Sequence, residues 1–323
     1  MIFSSKSAFR TRCRRCTWRA VAGGMSALAL TLLASCGGGT TTYDPFVPTR
    51  VLAFGDESSA LNSDGTRYGV NGLDAKGNVD CNLEPLWVQS VAGYYGMVFA
   101  ECNPTGAEPR ARMFAAVGTR AGDLTAQVEA VVAAGGFRDK DLALVLVGAN
   151  DVLELYRQYP GRPESDLIAD AKERGKQLAH VVNRMVDLGA KVVVSSIPDM
   201  GLTPFAATEK AANFDIDRAA MLSRLTTAFN VQVGVNVILD GRYVGLMQTD
   251  LRFISAYRAP ANYGLANVTT GACTATLPGC TTATLQDGAV SSQYLWADGT
   301  RMASGGQGQL ATLALERARR NPF

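Results

Sequence analysis

Histidine is almost missing from this chain: its 323 residues contain one, His180. That leaves little room for the side chain most often used as a general base near neutral pH, or for a zinc site built on imidazole. No Cys-x-x-Cys spacing occurs beyond residue 36 to make up the deficit. Acidic residues are missing from the first 36 positions, which carry Lys6, Arg10, Arg12, Arg14, Arg15 and Arg19. With residues 1–35 removed, 25 Lys and Arg face 29 Asp and Glu, a net charge of −4 where the full chain has +2. A basic, nucleic-acid-binding protein is therefore excluded as a class. Also missing is an apolar run of the ~20 residues that a bilayer span needs, the stretch from Ala20 to Ala34 being shorter. There is no internal repeat.

A charged start, a short apolar run and small residues together read as a secretory signal peptide over residues 1–35. A transmembrane anchor is the rival reading. The ending Leu33-Ala34-Ser35-Cys36, followed by three glycines, resembles the lipobox of bacterial lipoproteins. This implies that Cys36 is acylated, that residues 36–49 form the lipidated cysteine and a flexible Gly/Thr-rich tether, and that residues 50–323 are one domain. The expected partner is then the lipid bilayer, and the expected location is the bacterial cell envelope, with Gly37 after the cysteine pointing to the outer membrane. Beyond Cys36 four cysteines remain, Cys81, Cys102, Cys273 and Cys280. An even number in an oxidising compartment reads as two disulfides. Of the three pairings, the short Thr-, Gly- and Pro-containing loop favours Cys273–Cys280, leaving Cys81–Cys102. Neither a metal nor a cofactor is expected.

From residue 50 onward, apolar runs of strand length alternate with helical patterns. The expected strands are Val51–Phe54, Met97–Ala100, Leu142–Val147, Lys191–Ile197 and Val244–Met247. One helical stripe joins Leu167, Ala171, Leu178, Val181, Val182, Met185 and Leu188, and another joins Ala219, Leu222, Leu225, Phe229 and Val233. Asp123 reads as the N-cap of a helix through Val128 and Val131. His180 lies opposite the first stripe, beside Glu173, Lys176 and Asp187, and reads as a surface residue. Residues 257–292 have no clean period and read as a long surface excursion. Alternation of this kind indicates a parallel sheet wrapped by helices.

In an open parallel sheet, ligands sit beyond the carboxyl ends of the strands. Four strings occupy such places: Gly55-Asp56-Glu57-Ser58-Ser59, Val117-Gly118-Thr119-Arg120, Gly148-Ala149-Asn150-Asp151, and Trp296-Ala297-Asp298-Gly299-Thr300-Arg301. With Ile197-Pro198-Asp199-Met200-Gly201 after the fourth strand and Tyr263-Gly264-Leu265-Ala266-Asn267 ahead of Cys273, their order resembles the SGNH/GDSL hydrolases. The resemblance is especially to the branch that includes plant-type GDSL lipases and bacterial autotransporter esterases. The resemblance spans residues 50–318. It implies a flavodoxin-like three-layer α/β/α sandwich with about five parallel strands. It also implies an ester hydrolase in which Gly118 and Asn150 supply the oxyanion hole and Asp298 belongs to a Ser-His-Asp triad.

Two positions depart from that pattern. The nucleophile position holds Glu57 and the base position holds Arg301. A serine nucleophile needs a neighbour that takes its proton near pH 7 and returns it to the leaving alcohol, and an arginine stays protonated. The expectation is a catalytically impaired homologue that binds an acylated or glycosidic ligand, or a protein partner. In this reading Glu57, Arg301 and Asp298 form an ion-paired chain in place of the triad. Asp56 and Asp151 read as residues that fix their turns. The alternative is an active carboxylic-ester hydrolase with an unorthodox site, its nucleophile shifted to Ser58 or Ser59. Oligomeric state is not legible.

Overall fold

The computed structural model describes residues 45–323; the expected signal peptide, Cys36 and most of the expected tether lie outside the described residues. Five strands form one parallel sheet in the order β2-β1-β3-β4-β5: β1 (Arg50–Gly55), β2 (Ala111–Met113), β3 (Asp141–Leu146), β4 (Lys191–Ser195) and β5 (Val244–Met247). This is the flavodoxin-like order, whose topological switch lies between β1 and β3. Both β1 and β3 are buried along their full length, which is why each reads as an unbroken apolar run rather than an alternating one. Helices α2 (Leu124–Ala133), α4 (Glu164–Asp187) and α6 (Arg218–Asn236) pack together on one face, and α1 (Trp87–Tyr94) and α8 (Ser304–Arg320) pair on the other. Helix α3 (Ala149–Tyr156) packs on α4 and α6, α5 (Pro204–Ala212) on α6, and α7 (Thr249–Arg258) beside α8. The apolar stripe of α4 is buried from Leu167 to Met185.

Three expectations are corrected. The second strand is Ala111–Met113, not Met97–Ala100. Phe99 makes only a single parallel bridge to Ala111, and the chain turns at Ala100–Cys102. Residues 257–292 are not merely a surface excursion. Strand β6 (Asn267–Gly271) pairs in parallel with β7 (Tyr294–Trp296) to form a second, two-stranded sheet, and Leu265, Val268, Ala272 and Cys280 are buried. Residues 45–49, assigned to the tether by composition, pack on the domain: Phe46 meets the ring of Phe323, and the Thr49 amide donates to the Lys140 carbonyl. Asp123 does precede α2, but its carboxylate accepts the Arg120 amide of the preceding turn.

Cys81 is bonded to Cys102 and Cys273 to Cys280. The first pins the loop between β1 and α1, together with buried Arg67, whose guanidinium donates to the carbonyls of Cys81 and Glu84. The second closes a turn whose Pro278 and Cys280 carbonyls accept the Asn71 amide, so both disulfides brace one wall of the strand-end surface. Among the described residues no helix is long and apolar enough to cross a membrane.

Candidate functional site

The site grows from four turns at the carboxyl ends of the strands. At the end of β1 the chain passes through Gly55 at φ +117°, where a Cβ would lie 1.8 Å from the Leu146 carbonyl oxygen of β3. Only glycine fits there. Asp56 then caps its own turn by accepting the Ser58 amide at 2.9 Å, and Glu57 follows, 5% exposed. Gly148 repeats the device after β3. Its φ is +131°, and a Cβ would lie 2.5 Å from the Phe229 ring. The sharp exit starts α3 so that Asn150 stands in its first turn.

Glu57 does not merely face Arg301. Its Oε2 accepts the Gly118 amide at 3.0 Å and the Asn150 side-chain amide, also at 3.0 Å. These are the two donors expected to form an oxyanion hole, and the chain's own carboxylate occupies both. Its other oxygen, Oε1, receives Arg301 Nη2 at 3.4 Å, while Arg301 Nη1 donates to Asp298 Oδ2 at 3.1 Å. Asp298 in turn accepts the Thr300 and Arg301 amides on Oδ1, holding the tight turn in which Trp296 bridges Met302. Phe205, at the start of α5, donates its amide to the Gly299 carbonyl and ties that turn to the residues after β4. Burial works against the charge of Arg301, but Asp298 and Glu57 outweigh it and hold its pKa above the ordinary value. The guanidinium therefore stays a cation and cannot act as a base.

Two further carboxyls stand behind the site. Asp151 is buried, and its Oδ2 accepts the Ala121 amide at 2.9 Å, fixing the turn that presents Gly118. Burial pushes its carboxyl up to about 6. Asp56 is 1% exposed and its Oδ2 has no hydrogen-bond partner. Burial, reinforced by the adjacent Glu57 charge, pushes it up to about 8, so it is protonated at neutral pH.

Ser59 is fully buried and its Oγ accepts the indole N–H of Trp87 at 3.0 Å, a packing role directed into the core. Ser58 is half-buried, with its amide bonded to Asp56 and its carbonyl to Gln307. His180 is exposed on α4. Sequence reasoning missed that Glu57 would enter the hole itself, although a signal was present. A glutamate carries its oxygens two carbons farther from the backbone than a serine does, far enough to reach donors that wait for a substrate atom. It also missed the buried, unpartnered Asp56 oxygen, which had no sequence signal.

Solved structures similar to this chain are those of lipases and esterases. They include a lipase from goat rumen metagenome (13% identity, 85% of this chain and 99% of that chain, TM-score 0.48) and an extracellular lipase from Streptomyces rimosus (15%, 84% and 99%, 0.45). A third is an acetylxylan esterase from Geobacillus stearothermophilus (16%, 84% and 96%, 0.42). No family model and no curated protein matches the sequence.

Proposed function

We propose that this chain is an exported, lipid-anchored protein of SGNH fold that has given up ester hydrolysis and uses its cleft to bind an acylated or glycosidic ligand or a protein partner. The observation that carries the reading is the Glu57 carboxylate, held at 3.0 Å from both Gly118 N and Asn150 Nδ2. An acyl carbonyl needs those donors to stabilise the charge that develops on its oxygen. While Glu57 occupies them, an ester has no place to polarise. Neither partner of the Glu57–Arg301 pair takes a proton from an attacking hydroxyl on the required path.

A ligand is then held by groups other than the hole, and its ester carbonyl, if it has one, lies elsewhere in the cleft. The experiment is hydrolysis of p-nitrophenyl acetate, with fluorophosphonate labelling as a second readout. The wild-type chain should be near-silent in both. The Glu57→Ser/Arg301→His double substitution empties the hole and supplies a nucleophile and base beside Asp298, and it should gain measurable turnover. Robust wild-type hydrolysis abolished by Ser58→Ala would overturn the proposal in favour of an unorthodox esterase.

A further inference from the structure

The end of the domain opposite the cleft carries a surface of different character. It is built from the starts of the strands, the last turn of α8 and the segment where the described chain begins. Tyr94 is 51% exposed under the Arg319 guanidinium, Val235 is 65% and Leu239 74% exposed, and Tyr243 lies beneath Lys191 and Arg242. Asn321 joins these parts by donating to the carbonyls of Gly241 and Val244. Arg242 and Arg320 are matched by Asp240 and Glu316, whereas Arg317, Arg319 and Lys191 make no ion pair among the described residues. Unmatched cations at this end contrast with an excess of acid over residues 36–323.

We infer that this end seats on an anionic phospholipid surface, with the cleft facing away from the bilayer. Exposed tyrosine and aliphatic side chains flanked by arginine and lysine suit the headgroup region, where amphipathic rings and cations are both favoured. Chain length points the same way. Pro45 enters the domain at this end, and nine residues back to Cys36 span at most about 30 Å. An acyl anchor there holds this face, not the cleft, near the membrane. The inference rests on the envelope location proposed above, and it adds a weak electrostatic contact to the anchor, the combination that makes acyl anchoring firm. It also narrows the ligand: the cleft is presented to soluble or polymeric molecules, not to lipids of the membrane that carries the anchor.

The test uses residues 37–323 without the acyl group, since the whole core lies between Val51 and Ala318. Vesicles of phosphatidylethanolamine and phosphatidylglycerol, about 7:3, should carry this protein upward in a flotation gradient at low salt and release it at high salt. Arg317→Ser and Arg319→Ser should each weaken partitioning about fivefold. Leu239→Ser should weaken it as well, and Lys76→Ser, in the loop between β1 and α1 at the cleft end, should leave it unchanged. No flotation at low salt, or an equal loss from Lys76→Ser, would overturn the inference. Acylation of Cys36 is read separately, from the intact mass of the native protein, so failure of the anchor is distinguishable from failure of the surface.

Discussion

Asp56 and Glu57 are adjacent carboxyls with opposite circumstances. Glu57 has donors on both oxygens, while Asp56 Oδ2 has none and its pKa rises from 3.8 to about 8. Between those values the folded chain holds a proton that the unfolded chain has released. Stability therefore falls as pH rises from about 4 to about 8, and the contribution is fully present only below the unfolded value. Asp56→Asn removes this titration. Its unfolding free energy relative to wild type should improve between pH 5 and pH 8 by on the order of a few kcal/mol, measured by urea denaturation at each pH; a difference that does not change with pH would refute it. Were the Glu57–Arg301 pair buried on both sides, removing one partner would be costly. The structure tempers that expectation: the Arg301 side chain is 36% exposed and 3.4 Å from Glu57, whose side chain is 7% exposed but keeps the Gly118 and Asn150 donors when Arg301 is removed, so Arg301→Ala should cost only about 1 kcal/mol. Urea denaturation reads this too, and a loss of several kcal/mol would show that the pair is far better desolvated than its exposure indicates. The identities at the site were legible because they sit in short strings after apolar runs. The direction of the Glu57 side chain was not, because it depends on donors 61 and 93 residues away.

Local signals carried four strands of the main sheet and failed at β2 and in the second sheet. Strands β1, β3, β4 and β5 are apolar runs ended by glycine or polar residues, and period and punctuation suffice for them. Strand β2 has three residues, one of them the exposed Arg112, and exists because β1 offers an open edge. Strands β6 and β7 are far apart in sequence, and their pairing is fixed by non-local bonds such as Trp296 Nε1 to the Val268 carbonyl. Cysteine arithmetic did find the braces. By loop length, the Cys81–Cys102 bridge (separation 21) should stabilise by about 3.4 kcal/mol and the Cys273–Cys280 bridge (separation 7) by about 2.5 kcal/mol. Cys81→Ser/Cys102→Ser should therefore lower the urea midpoint more than Cys273→Ser/Cys280→Ser; the reverse order would show that native contacts of the 273–280 turn outweigh chain entropy.

For the whole molecule, the decisive geometry is polar: the Glu57–Arg301–Asp298 chain at the carboxyl ends of the strands, and Tyr94, Leu239 and unmatched cations at their starts. If Cys36 carries acyl chains, the tether and the lower surface act on the same side, and the domain is held cleft-outward. The surface alone is a weak anchor, because exposed cations are screened at cellular ionic strength, where the Debye length is about 8 Å. Stable attachment takes two signals or more than one acyl chain. Cys36→Ala should consequently move the protein from the membrane fraction to the soluble fraction at physiological salt, even with Arg317, Arg319 and Lys191 intact. The native protein should begin at Cys36 with added acyl mass. A mature start elsewhere, or a Cys36→Ala protein that stays with the membranes through a high-salt wash, would show that the anchor is not this cysteine.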